Sequence, residues 1–168
     1  MKRPAFIFVL IGACLLFGSL LAQDFTYVGS AKCQICHKTE NQGQQYPIWQ
    51  KSEHATSFQD LSTPEAQKLA ADAPTNAKCL ACHAPLADKA PELKTEGVTC
   101  EVCHGPGSEY KKLSLMKNKD EAVKNGLILY ANAEAIKTQC LKCHQNAHNK
   151  AFDCTAYWDK IKHAIPQK

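Results

Sequence analysis

Cysteine and histidine recur together in this chain at one fixed spacing, Cys-x-x-Cys-His. Two thiols three residues apart lie on one side of a helical turn, where they can bond covalently to the two vinyl groups of a porphyrin. The histidine that follows is then placed to bind the iron. The pattern occurs four times, as motif 1 (Cys33, Cys36, His37), motif 2 (Cys79, Cys82, His83), motif 3 (Cys100, Cys103, His104) and motif 4 (Cys140, Cys143, His144). The sequence therefore predicts four covalently bound c-type haems.

Zinc binding or disulfide formation is the alternative explanation of paired cysteines. Cys-x-x-Cys units also occur in zinc ribbons, and an exported chain could oxidise its thiols. A structural zinc site closes with four ligands, however, and gives no reason for a histidine after every second cysteine. The recurrence of histidine favours haem.

The N-terminus has the pattern of an export signal, which agrees with haem attachment outside the cytoplasm. Lys2 and Arg3 precede an apolar run over residues 5–22, and the first acidic residue follows it. This pattern predicts a signal peptide over residues 1–22 and a periplasmic or extracellular location. The rest, residues 23–168, is short enough to be a single domain.

The sequence allows two other interpretations of the N-terminal segment, lipidation and retention as a membrane anchor. Cys14 ends a stretch that resembles a lipobox, although the residues after it remain apolar. Alternatively, the apolar run is near the lower length limit for spanning a bilayer and could remain as an anchor. Either outcome would attach the protein to a membrane.

The charge gives no reason to expect nucleic acid as a partner. The chain has 20 basic and 16 acidic residues, and loss of Lys2 and Arg3 would leave 18 against 16. Eight haem propionates would make the net charge negative. A lysine cluster follows motif 3 and could dock an acidic redox protein, although a solvated face is its more ordinary explanation. Its members are Lys111, Lys112, Lys117 and Lys119.

The segments between the motifs predict a mostly α-helical fold with extensive loops, compact, with haems forming much of the core. Helix starts are expected at Pro64 after Ser62-Thr63, at Pro47 in a helix carrying Trp49 and His54, and near Asp120. Asn132 is expected to cap a helix that leads into motif 4. A last helix is expected over Thr155 to Ile165. Strands should be short and few.

The number of histidines limits how many haems can have two histidine ligands, and this bears on whether the protein is an electron carrier or an enzyme. Seven histidines are present and four belong to the motifs, which leaves His54, His148 and His163 for the opposite, distal faces of four haems. At most three haems can therefore have two histidine ligands from this chain. The fourth must be open, use Met116 or another side chain, or take a ligand from a neighbouring chain. An open position permits chemistry, whereas two protein ligands suit electron transfer.

The sequence resembles the tetrahaem cytochromes of the cytochrome c-554 type. The resemblance is carried by YVGSAKCQICH, by Trp49, Ser52 and His54-Ala55 in IWQKSEHA, by GVTCEVCHGPG and by the closing CLKCH. It implies that His54 and His163 are distal ligands. His148 is too near His144 to serve the same haem and would have to serve another.

One departure from the family concerns the segment after motif 3. The family places a distal histidine shortly after Gly-Pro-Gly, whereas this chain continues as GSEYKKLSLMKNK. Met116 is the only methionine outside position 1 and could replace it, although core packing is the more common role of methionine. Tyr110 is expected to pack against a porphyrin or bond to a propionate, and the Gly105-Pro106-Gly107 turn to lead the backbone away from the haem.

These observations predict an electron carrier between redox partner proteins whose identity the sequence does not give. One alternative is a haem enzyme with a five-coordinate iron that acts on a small nitrogen or sulfur species or NO. Another is an oligomer in which subunits stack into a conducting filament. Cys154, outside all motifs, is expected to be buried and inert, with a reactive thiol or an intermolecular disulfide as the other roles.

Overall fold

The structure is a computed structural model that describes residues 24–145, 148 and 150–163. The predicted signal peptide lies outside these residues. The α-helices are α1 (Ser30–His37), α2 (Gln45–Gln50), α3 (Glu53–Asp60), α4 (Pro64–Leu69), α5 (Ala77–His83), α6 (Cys100–His104), α7 (Leu113–Met116), α8 (Lys119–Lys124), α9 (Ala133–His144) and α10 (Cys154–Ile161). Two 3₁₀ turns cover Glu40–Gln42 and Pro91–Glu96. The described residues contain no β-strand, and the mostly helical fold class is confirmed.

The four helices that carry the motifs share one design. Helices α1, α5, α6 and α9 each end at the histidine of their motif. Both cysteines of every motif therefore lie in the last helical turns, on one side of the helix. Ending the helix at the histidine frees the following backbone to turn away from the side chain.

Several helix starts agree with the sequence prediction. Thr63 accepts a hydrogen bond from the Ala66 amide at the start of α4, and Asn132 accepts one from the Ala135 amide at the start of α9. Such caps satisfy amides that have no partner within the helix. Helix α8 begins one residue before the predicted Asp120, because Asn118 caps it.

The helix predicted from Pro47 is wrong in its extent. Trp49 lies on α2 and His54 on α3, because the backbone of Ser52 is extended and interrupts the helix. The Ser52 hydroxyl donates to the Trp49 carbonyl at 2.6 Å, and the Trp49 indole donates to the Val98 carbonyl at 2.8 Å. These bonds fix the break and hold α2 against the irregular segment before motif 3.

The last helix is also shorter than predicted. Helix α10 ends at Ile161, because Lys162 leaves the helical conformation with a ψ of 142°. His163 therefore follows the helix instead of lying on it. The residues from 164 onward, where the prediction placed the helix end, lie outside the described residues.

The buried apolar core of the described residues is small. Its members are Leu61, Ala73, Ala84, Leu86, Ala90, Tyr110 and Ala122, so more than half are alanines. The largest fully buried side chains are instead polar, namely Glu101, Thr99 and Ser30. So little buried apolar volume is consistent with a fold whose interior is completed by bound groups. No helix among the described residues has the length and apolar character to cross a membrane.

Candidate haem centres

Six of the seven histidines form three pairs of facing rings. The centroids of His54 and His144 are 6.1 Å apart, those of His83 and His148 are 6.2 Å apart, and those of His104 and His163 are 5.8 Å apart. Each pair joins one motif histidine to one histidine from outside the motifs. The three histidines that the sequence left for distal faces are thus each brought opposite a different motif.

The ring separations fit a metal ion between two imidazoles. A coordinated imidazole nitrogen lies about 2 Å from its metal, so two nitrogens on opposite sides are about 4 Å apart and the ring centroids about 6 Å apart. Rings in direct stacking contact lie closer, as His144 and Phe152 do at 4.3 Å with an interplanar angle of 12°. The paired histidines therefore leave room for an iron, and the donor set is one that haem iron accepts.

Hydrogen bonds orient the motif histidines. Nδ1 of His83 lies 2.8 Å from the Ser57 carbonyl, and Nδ1 of His37 lies 3.3 Å from the side-chain oxygen of Gln45. A carbonyl oxygen can only accept, so Nδ1 carries the proton in each ring. Nε2 is then the unprotonated nitrogen that can bind a metal.

Burial favours the neutral form of four of the paired imidazoles. Burial, followed by the proximity of His163, lowers the pKa of His104 to about 4, despite a hydrogen bond to the Ile128 backbone that favours the charged form. Burial also lowers the pKa values of His54, His144 and His163. Neutral imidazole is the form that coordinates metals.

The motifs lie next to one another in a defined order. The Cys33 thiol of motif 1 contacts the Cys100 thiol of motif 3, and this hydrogen bond together with burial raises the pKa of Cys33. The thiols of Cys82 in motif 2 and Cys143 in motif 4 are also hydrogen-bonded.

Side chains also link motif 3 to the segment of motif 4. Gln139 donates its amide to the Val102 carbonyl at 3.0 Å, and the Tyr130 hydroxyl donates to the Cys103 carbonyl at 2.7 Å. Chain order 1-2-3-4 thus becomes spatial order 1-3-4-2.

A buried carboxylate that the sequence analysis did not assign holds motifs 1 and 3 together. Glu101 lies between the two cysteines of motif 3 and is 1% exposed. It accepts from the amides of Gly29 at 2.8 Å and Gly107 at 2.6 Å, and from the Val28 amide at 3.0 Å to both oxygens. The carboxylate thereby ties the start of α1 to the turn after motif 3. The only sequence signal was its place inside the motif.

Ser57 and Gly97 also help to hold the motif segments together, and the sequence did not predict this role. The Ser57 hydroxyl contacts the carbonyls of His54 and His83 and accepts from the Val98 amide. Gly97 has φ of +69°, and a Cβ there would lie 2.6 Å from both the His54 carbonyl and the Ser57 hydroxyl. The close approach at Gly97 brings α3 against the segment before motif 3, and the Ser57 hydroxyl joins α3 to motif 2.

The remaining candidate side chains make contacts of other kinds. Tyr110 is 7% exposed and donates its hydroxyl to the Gly105 carbonyl at 2.9 Å. Burial, with Cys33 nearby, raises its pKa, so it stays a neutral phenol. Met116 is the last residue of α7, which packs against α8. Gly105 has φ of +80°, and its missing side chain gives space to the Gly126 carbonyl.

Cys154 is half-buried at the start of α10, and its thiol is hydrogen-bonded to the Cys140 thiol of motif 4. The nine cysteines within the described ranges are free of disulfides. In the same part of the chain, no group of three or more His, Cys, Asp or Glu residues is arranged to hold a bare metal ion.

The helical fold, the repeated Cys-x-x-Cys-His helices and the facing imidazoles define a c-type cytochrome, a class that carries covalently bound haem. Residues 32–105 match the family described as cytochrome c554 and c-prime. Cytochrome c-554 of Nitrosomonas europaea is 29% identical over 110 residues, a match that covers 56% of this chain and 44% of that relative. Over these partial matches the chain is similar to cytochromes of the c-554 type. No solved structure matches the chain.

Proposed function

We propose that this protein is an exported tetrahaem cytochrome c that carries electrons one at a time between redox partner proteins. The observation that carries the proposal is the set of three ring pairs, each about 6 Å apart and each facing a different Cys-x-x-Cys-His helix. A haem held between two imidazoles supplies reversible one-electron chemistry and leaves no vacant position for a substrate.

The three histidine pairs suggest which two imidazoles would bind the iron at each of motifs 2, 3 and 4. His83 and His148 would bind the motif 2 iron, His104 and His163 the motif 3 iron, and His144 and His54 the motif 4 iron. His37 would bind the motif 1 iron from the proximal side. Each pair of motif cysteines would hold its porphyrin through two thioether bonds.

The adjacency of the motifs supports a relay. Thiol contacts join motif 1 to motif 3 and motif 2 to motif 4, and side-chain hydrogen bonds link motif 3 to the segment of motif 4. Haems attached to the four motifs would form one continuous series, with the haems of motifs 1 and 2 at its ends. Such a series suits a protein that accepts an electron at one end and releases it at the other.

The location and the partners are part of the proposal. Haem attachment of this type takes place outside the cytoplasm, which agrees with the export signal predicted over residues 1–22 and with a periplasmic or extracellular protein. The donor and acceptor would be redox proteins. Lys111, Lys112, Lys117 and Lys119 are exposed and would give one docking face for an acidic partner.

A haem count combined with EPR spectroscopy tests the proposal. The purified oxidised protein should contain four haems per chain by the pyridine haemochromogen assay, and at least three low-spin iron signals. His163→Ala should convert one low-spin signal to a high-spin one, because it removes one imidazole of a pair. Lys162→Ala, at the exposed neighbouring position, should leave the spectrum unchanged.

Fewer than four haems would contradict the tetrahaem proposal. A His163→Ala spectrum identical to that of the unchanged protein would contradict the ligand assignment. Failure of the reduced protein to pass electrons to an added oxidised cytochrome would contradict the carrier function.

A further inference from the structure

His144 differs from the other three motif histidines in what orients its ring. In each of the other three, an oxygen acceptor fixes the imidazole through a hydrogen bond from its ring N–H. These acceptors are the Gln45 side chain for His37, the Ser57 carbonyl for His83 and the Ile128 backbone for His104. The described part of the chain brings no such acceptor to the His144 ring. Another kind of contact therefore has to orient it.

Two aromatic rings are stacked in series on the face of His144. The Phe152 centroid lies 4.3 Å from that of the imidazole, with an interplanar angle of 12°, and the Tyr157 centroid lies 5.3 Å from that of Phe152, with an angle of 17°. The three rings are thus nearly parallel. Stacking uses the face of the imidazole, whereas its nitrogens point outward in the plane of the ring. The stack therefore leaves a ring nitrogen of His144 free to bind an iron.

We propose that Phe152, backed by Tyr157, is a positioning residue for the motif 4 haem. Its ring fixes the plane of the His144 imidazole, which lies at 50° to the plane of His54. Rotation of His144 away from that plane would drive the edge of the imidazole into Phe152, because the two rings are already in contact. This inference rests on the proposed tetrahaem function and adds two residues that tune one of its four centres.

The plane of an axial imidazole affects the iron that it binds. The angle between the two ligand planes sets the splitting of the iron d orbitals, and this splitting determines the largest g value of a low-spin ferric haem. The angle between the paired rings is 27° at motif 3, 50° at motif 4 and 69° at motif 2. Because the largest g value rises as the planes approach perpendicular, three distinct low-spin signals are expected. The motif 4 signal should be the middle one.

Both rings of the stack can be replaced without removing much of the interior. Phe152 is half-buried and Tyr157 is 48% exposed. Neither belongs to the buried apolar core of the described residues. Truncation of either ring should therefore leave the fold intact and four haems bound, so that a spectral change reports the orientation of His144.

EPR spectroscopy of the oxidised holoprotein tests the proposal. His54→Ala assigns the motif 4 signal, because the loss of one imidazole removes that low-spin signal from the spectrum. Phe152→Leu should keep four haems and should shift and broaden this signal alone, because the His144 ring can then adopt several orientations. Phe152→Tyr should retain the original signal, because it keeps an aromatic face against the imidazole.

Two variants of α10 complete the experiment. Tyr157→Leu should shift the motif 4 signal less than Phe152→Leu does, because it removes only the second ring of the stack. Trp158→Leu is the matched control. Trp158 is 36% exposed on the same helix, and its ring contacts no histidine in the part of the chain that the structure describes. This variant should leave every low-spin signal unchanged.

The positioning role of Phe152 can be refuted in three ways. A motif 4 signal that Phe152→Leu leaves unchanged would overturn it. A Phe152→Tyr spectrum that resembles the Phe152→Leu spectrum would also overturn it, since the aromatic face would then not matter. A change spread over all three low-spin signals would overturn it as well, because Phe152 would then only stabilise the fold. A haem count below four in the unchanged protein would instead overturn the proposed function on which this inference rests.

Discussion

Glu101 offers the sharpest test of how the motifs are held together. Its carboxylate is buried and accepts from three backbone amides, with Gly29 bonded to one oxygen, Gly107 to the other and Val28 to both. Glu101→Gln keeps the size of the side chain and replaces one oxygen by an NH₂ group. Whichever way the amide is turned, this group faces either the Gly29 or the Gly107 N–H, and two donors then oppose each other.

The expected loss follows from these contacts. One buried N–H left without an acceptor costs about 1–3 kcal/mol, and the remaining bonds lose the contribution of the negative charge. The free energy of unfolding should fall by about 3–5 kcal/mol in total. Val28 can keep its bond to the remaining oxygen, so the loss should stay below that of removing the side chain altogether.

Guanidinium unfolding of the oxidised holoprotein, followed by far-UV circular dichroism, measures this loss. The matched control is Glu109→Gln, which removes the partner of Lys112 in a surface ion pair of 2.6 Å. That change should cost less than about 1 kcal/mol. If Glu101→Gln destabilised the protein no more than Glu109→Gln does, the carboxylate would not be the link between motifs 1 and 3 that its contacts indicate.

Three further outcomes are expected. Gly97→Ala should lower the free energy of unfolding by roughly 2–4 kcal/mol, because the backbone at Gly97 has positive φ and the added Cβ would meet the His54 carbonyl. The displaced His54 should also disturb the low-spin EPR signals. Unfolding and EPR spectra that match those of the unchanged protein would contradict this expectation. Asn132→Ala should cost about 1 kcal/mol through loss of the α9 cap, measured by the same unfolding assay against Asn41→Ala on the surface. Chain expressed without haem attachment should give no cooperative thermal transition, because the buried apolar core is small; a sharp transition would show that the chain folds without its cofactors.

Much of the candidate site could be predicted from the sequence, because its chemistry is local. The attachment of a porphyrin needs two thiols and a histidine within five consecutive residues, and a single helical turn provides that geometry. Helix caps such as Asn132 are local for the same reason. The histidine total also predicted that, with four haems bound, one of them would lack a second histidine from this chain.

The order of the motifs in space and the partner of each histidine required the tertiary structure. The distal ring that faces His144 comes from α3, and the one that faces His104 follows α10, so no spacing along the chain could predict which rings would meet. The same holds for Glu101, whose three amide donors lie in two separate segments.

Local patterns determined what each motif can bind, because covalent attachment involves neighbours in sequence. Only the packing of distant segments decided that His37, among the described residues, is the motif histidine without a second imidazole beside it, because the opposite face of each motif is supplied by a different part of the chain.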